Sequence, residues 1–429
     1  MVFVERKMRF HALDGLRGLC ALTVALFHLY EFMKVPSPQS IGHAFAFVDF
    51  FFVLSGFVLA HAFFDKLALK GGGWSFAIRR FGRMYPLHFF MLMLFVALEA
   101  AKWFAARNGV AMLAQPFTNE NSLSALASNL LLIQSLGLHD RLTWNFPAWS
   151  ISVEFYVNLL FCLIMILPLR RAEGVGDVLR RKTWIMAALA VAGCIGTIWA
   201  TRDSHAAMSY DFGLLRCIYG FFCGVLAQRL RAGGLDPFAR LSDNGIALGE
   251  VVMTFVTLAL VIYLPWFWLF AIMPVLFSLL TLVYAHEKGP FSRLLLTPPL
   301  HAIGEWSYSL YLVHSFLLMH VFGRLASMAG KKGWLGLHAI PGADTGDYVA
   351  GLYLQGPLMV GVVIAAYLGA VLLMSSLTFR FVEKPARRYF NAVAARRDAA
   401  AEQPASLAAD LGSDLAARRA AARRVQAAE

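Results

Sequence analysis

The chain has 429 residues, of which 59% belong to the apolar and aromatic set AVILMFWYC and only 15% are charged. Water-soluble domains run at roughly 45–50% and roughly 25% for these two classes, so a soluble globular protein is excluded; 36 Phe, 10 Trp and a mean hydropathy of +0.62 point to repeated apolar spans. The net charge of +12 comes from short Lys and Arg clusters between apolar runs, the pattern that orients membrane proteins, which argues against nucleic acid as a partner.

In chain order, the first predicted span is 13–33. Residues 1–12 are charged, but the apolar stretch after them outruns a signal-peptide core and has no clear small-residue cleavage site, so it reads as a retained helix. Nine further runs of about 20 largely apolar residues follow, at 44–64, 84–105, 148–169, 183–201, 210–229, 246–264, 267–285, 303–323 and 356–379. The stretch 123–138 is too short and too polar to span, and reads as an interfacial or re-entrant piece. The expected fold is all-α: a polytopic membrane protein of ten transmembrane helices, with an integral membrane domain over 1–390 and an Ala- and Arg-rich tail over 391–429, disordered or a frayed helix. Cys20, Cys162, Cys194, Cys217 and Cys223 all fall inside apolar segments without a CxxC pair, which predicts packing roles.

Loop charges set the expected orientation. Of the 38 Lys and Arg residues, 27 fall in the N-terminus, the 65–83, 170–182, 229–245 and 286–302 loops and the C-terminal tail, against eight in the opposite loops. The first set is expected in the cytoplasm, with both termini, as an even number of spans requires.

Ionisable groups inside spans are costly and default to function or pairing. Arg17 and His28 are eleven residues apart, which on a helix places them on one face and about 16 Å apart along the axis. Asp14 lies one turn below Arg17, and snorkelling at the membrane edge is the alternative reading for both. His28, Asp49 and Glu154 fall at a similar depth near the outer ends of their spans, an acid/base set for proton transfer. At the other side Arg79, Arg80 and Arg83 precede the third span, near Asp14, Arg17 and the start of the ninth at Glu305, Ser307 and Tyr308. They read either as a positive-inside anchor or as bidentate phosphate ligands. His43, His61, His88 and His314 read as structural histidines satisfied by backbone carbonyls. No HExxH, Cys/His cluster, GxSxG, Walker loop or GxGxxG occurs, so no metal site is expected and serine hydrolases, ATPases and dinucleotide enzymes are disfavoured.

The string ALDGLRGLCALTVALFH (12–28) resembles the opening signature of the acyltransferase family 3 integral membrane proteins. VDFFFVLSGFVL (48–59), RRFGRMYPLHF (79–89), WSISVEFY (149–156), GEWSYSLYLVHSF (304–316) and FVEKPARRYF (381–390) resemble its other characteristic segments in the family's order. The resemblance spans residues 10–390 and implies a ten-helix enzyme of the bacterial inner membrane. Such an enzyme moves an acyl group, usually acetyl, from cytoplasmic acyl-coenzyme A to a hydroxyl of a cell-surface or secreted carbohydrate such as O-antigen or exopolysaccharide, or of a lipid-linked glycan. It implies that Arg17 and His28 are essential and that Arg80 and Arg83, with Arg79 adjacent, are the family's arginines before the third helix. Some relatives carry an extracytoplasmic hydrolase-like domain after the helices, and with about 50 residues left after the last span none is expected here.

On this reading the coenzyme site comprises Arg17, Arg79, Arg80, Arg83, Asp14, Ser307 and Tyr308, and the catalytic set is His28 with Asp49 or Glu154 orienting it. The partners are acyl-coenzyme A as co-substrate, the glycan acceptor and membrane lipids. A secondary transporter, for which buried ionisable residues are also usual, is the alternative.

Overall fold

The computed structural model describes residues 10–33, 37–110, 115–169, 173–202, 208–325 and 357–401. Among these there is no strand. Eleven helices carry the architecture: α1 His11–Met33, α2 Phe47–Lys70, α3 Gly73–Arg107, α4 Leu123–Leu130, α5 Ala148–Ile166, α6 Val175–Ala200, α7 Gly213–Ala232, α8 Asp243–Tyr263, α9 Trp266–Tyr284, α10 Pro298–Phe316 and α11 Pro357–Thr378. In hydrocarbon every backbone N–H and C=O must be satisfied within the protein, which is why long apolar runs resolve as helices. α10 and α11 each pass into a π-helical turn, Leu317–Phe322 and Phe379–Glu383, and the chain stays helical to residue 401. Residues 391–401 of the expected tail therefore continue a helix, and the rest of that tail lies outside the described residues.

All ten expected spans are helical where described, and among the described residues eight helices are both long and apolar enough to cross a membrane on composition. The two that are not are α7, with Arg216, Arg229 and Arg231, and α10, which opens PPLHAIGEWS. Their polar residues are tolerated because both lie within the bundle, α7 between α2 and α6 and α10 against α1. Small residues permit these approaches. A Cβ on Gly56 would lie 1.9 Å from the Phe221 carbonyl oxygen, and one on Gly18 would lie 2.7 Å from the Gly304 nitrogen. The α1–α10 contact sets Arg17 beside the start of α10.

The 123–138 stretch does not span. It forms the eight-residue α4, begun by the Ser122 side chain accepting from the Ala125 N–H. Its last carbonyls, which lack helical partners, accept from α3 and α5: His88 Nε2 and Tyr85 Oη contact Asn129 O and Leu130 O at 2.9 Å each, and Tyr156 Oη donates to Leu131 O at 2.9 Å. Lys182 caps α5 in the same way, donating to the carbonyls of Ile164 and Leu167 at 3.0 Å each and to that of Met165.

Candidate active site

Phe10 and Asn391 line the same cavity, so the start of α1 and the helix after α11 meet at one end of the bundle. The cavity has a volume of about 470 Å³. From that end it reaches between α1, α2, α3, α5 and α10, ending at Ser150, Glu154 and Tyr311. Five arginines line it, Arg17, Arg79, Arg80, Arg83 and Arg387, against three carboxylates, Asp14, Glu154 and Glu305. The balance favours an anion.

Each arginine is held differently. Arg17 donates from Nε to Ser307 Oγ at 2.7 Å and from Nη2 to the Gly304 carbonyl at 3.2 Å, and pairs with Asp14 at 3.0 Å. Arg83 pairs with Glu383, which the π-helical turn after α11 carries in a fully buried position. Ser309 Oγ donates to the same carboxylate at 2.8 Å, Arg387 stands 3.5 Å from it, and the Arg83 guanidinium lies over the Tyr308 ring. The Tyr308 hydroxyl is itself spent on the Met84 carbonyl. Arg79 pairs with Asp398 at 3.2 Å. Arg80 makes no ion pair among the described residues, its Nε is buried without a hydrogen-bond partner, and its guanidinium stacks over Phe76. Its charge is matched by no carboxylate within ion-pair distance among the described residues.

The structure thus brings together Asp14, Arg17, Arg79, Arg80, Arg83, Ser307 and Tyr308, and adds Glu154, whose Oε1 accepts from Ser55 Oγ at 2.6 Å. Glu154 belongs to the arginine cavity and is not brought to His28. Nor is Asp49. Its carboxylate, fully buried, is held by Arg216 of α7 in a fork, Nε to Oδ1 at 2.6 Å and Nη2 to Oδ2 at 3.0 Å. Arg216 also donates to the carbonyls of Met208 and Phe45 and lies between the Phe270 and Trp149 rings. With all these contacts made, Asp49 is a structural ion pair and the structure leaves it no role in orienting His28.

His28 does not line the cavity. It stands beyond its inner end, where the Tyr311 ring meets His314 at 5.8 Å and His314 stacks on His28 at 5.4 Å with the planes 16° apart. Phe146 closes over both imidazoles, at 4.8 Å from His28 and 6.0 Å from His314.

A profile of the acyltransferase 3 family, described as an acyltransferase domain, matches residues 10–377. The chain belongs to that family. It is a membrane acyltransferase. It is 28% identical to acyltransferase MdmB of Streptomyces mycarofaciens over 77% of this chain and 83% of the relative. It is 35% identical to Protein 2 in the picA locus of Rhizobium radiobacter, over 36% of this chain and 81% of that one. A third relative, BcsY of Komagataeibacter xylinus, named provisionally as a membrane-bound transacylase, is 26% identical over 92% of this chain and 88% of its own. No solved structure matches the chain.

Two residues of the arginine cluster escaped sequence reasoning. Arg387 and Glu383 sit in FVEKPARRYF, a segment used only for its resemblance, and a buried Glu next to a π-helical turn is invisible to periodicity. His314 was read as a histidine satisfied by a carbonyl. That holds for His43, 2.8 Å from Val261 O, and for His88. For His314 the partners are the Tyr311 and Leu310 carbonyls one turn back on the same helix, at angles poorer than in His43 and His88.

Proposed function

We propose that the protein O-acylates a carbohydrate hydroxyl at the cell surface or on a secreted or lipid-linked glycan, with acyl-coenzyme A, most simply acetyl-coenzyme A, as donor from the cytoplasm. The observation that carries this reading is the arginine-lined cavity, at the end of the bundle that holds Phe10 and Asn391. The coenzyme's phosphates are multiply charged acceptors that guanidinium forks match in charge and geometry. Arg80 and Arg387 bind them at the mouth, with Arg79 and Arg83, while Arg17, fixed by Asp14 and Ser307, takes an acceptor group deeper in. The uncharged pantetheine arm then runs past Tyr308 toward Tyr311.

At that end His28 is the proton acceptor. A neutral imidazole takes the acceptor hydroxyl's proton as the oxygen attacks the thioester carbon, and returns it to the departing thiolate. Glu154, held by Ser55, lines the donor's path in the same cavity. The positive-inside balance, 27 cations to eight, and the shared end of Phe10 and Asn391 support a cytoplasmic side for that end of the bundle.

Mass spectrometry of surface glycans and secreted products from a deletion strain tests the acceptor. The reading predicts loss of one ester, restored by the wild-type gene and not by the His28→Ala gene. An unchanged ester profile would contradict it.

A further inference from the structure

We propose that Glu383 is a positioning residue of the coenzyme site: through Arg83 and Arg387 it sets cations of the cavity for the donor's phosphates, and the helix that continues α11 to residue 401 is one wall of that site. The proposal rests on the acyl-coenzyme A reading and adds a carboxylate that it does not use.

Spacing along two helices is the first support. Glu383, Arg387, Asn391, Ala394 and Asp398 recur at intervals of three and four residues, which is one face of a helix. Ser75, Arg79, Gly82 and Arg83 do the same on α3. The two faces meet antiparallel. Glu383 pairs with Arg83, Arg79 Nη1 reaches the Asn391 carbonyl at 3.5 Å, Ser75 Oγ donates to the Ala394 carbonyl at 3.4 Å, and Asp398 pairs with Arg79 at 3.2 Å and with Lys66 of α2 at 2.9 Å. Gly82 permits the approach, because a Cβ there would lie 2.2 Å from the Cβ of Phe390.

Within this contact Glu383 is 1% exposed, and its carboxylate meets Arg83 Nη1, Ser309 Oγ at 2.8 Å and Arg387 Nη1 at 3.5 Å. Arg83 and Arg387 line the cavity, whereas the carboxylate they share lies behind them. Arg83 is thus held through Nη1, with the Tyr308 ring 5.4 Å from its guanidinium carbon, and among the described residues its Nε and Nη2 make no hydrogen bond. A guanidinium whose plane is already fixed meets a phosphate with parallel hydrogen bonds at a smaller loss of freedom. The two roles open to Glu383 predict opposite signs. A carboxylate that only offset charge would, once removed, leave the cavity more cationic and the coenzyme bound more tightly. A positioning carboxylate, once removed, loosens both arginines and weakens binding.

Glu383→Gln and Ser309→Ala, compared with wild type in inside-out membrane vesicles, provide the test. Each is given [14C]acetyl-coenzyme A or labelled S-acetylpantetheine, a donor with the same thioester and no phosphate. The KM for acetyl-coenzyme A should rise about tenfold in Glu383→Gln and about threefold in Ser309→Ala. The maximal rate of transfer, and the KM for S-acetylpantetheine, should stay at the wild-type values. An unchanged or lower KM for acetyl-coenzyme A in Glu383→Gln would overturn the proposal. So would an equal loss on both donors, which marks a packing role. Ser309→Ala keeps the ion pair and removes only one hydrogen bond, so it answers the same question if Glu383→Gln does not accumulate in the membrane. Consumption of neither donor by wild-type protein would instead overturn the acyl-coenzyme A reading itself, so the two failures are distinguishable.

Discussion

Arg80 and Arg83 stand three residues apart on one helix, yet they answer to different forces. Arg83 neutralises the buried Glu383, whereas Arg80 has no carboxylate partner among the described residues and its Nε is buried. Arg80→Met should therefore weaken coenzyme A binding by about tenfold or more, since a charge-assisted contact contributes about 1.5–3 kcal/mol, while leaving the melting temperature near wild type. Arg83→Met should lower both, because it strips the main counter-charge from Glu383. Calorimetric binding and a thermal melt on each purified variant check this. The Asp49–Arg216 fork gives a second prediction: Asp49→Asn alone should cost about 3–5 kcal/mol by leaving Arg216 uncompensated, whereas Asp49→Leu with Arg216→Met should recover much of it. Stability in detergent, measured as a double-mutant cycle, decides. These residues also mark how far sequence reasoning reaches. The Arg17 to His28 relation was legible because both sit on one helix with a fixed rise. The partners of Asp49 and Arg83 were not, being 167 and 300 positions away on other helices. Depth in a span narrows where a carboxylate lies, but not which neighbour it meets.

At the scale of the element, apolar run length located every long helix, since the cost of unsatisfied backbone in hydrocarbon leaves no other choice. What it could not convey was which helices sit inside the bundle. The polar faces of α7 and α10 and their glycines carry that information, but reading it requires knowing the opposing surface. Gly56 and Gly224 face each other's helices, and a Cβ on either would lie 1.9 Å from a carbonyl oxygen, of Phe221 and Val53 respectively. Backbone cannot yield as a side-chain end does, so Gly56→Ala should sharply reduce the amount of folded protein in the membrane. Gly361→Ala in α11, where none of the described residues lies within 4 Å of the added carbon, should be tolerated or mildly stabilising. Detergent-resistant yield and size-exclusion profile of the two variants make the comparison. Equal yields would mean that the α2–α7 approach is not required.

Taken whole, the molecule is a bundle with an arginine-lined cavity open at one end and a stacked imidazole pair beyond its inner limit. The donor is to enter at the end lined by Phe10 and Asn391, and the acceptor is to meet it at His28, about 16 Å farther along α1 than Arg17. One experiment bears on this most directly: supply [14C]acetyl-coenzyme A to sealed membrane vesicles of opposite orientation and follow label into material other than coenzyme A. Inside-out vesicles should transfer label, right-side-out vesicles should not consume external donor, and His28→Ala should lose about 100-fold or more of the transfer at normal protein level. Consumption by right-side-out vesicles at the same rate, or wild-type transfer by His28→Ala, would contradict the account.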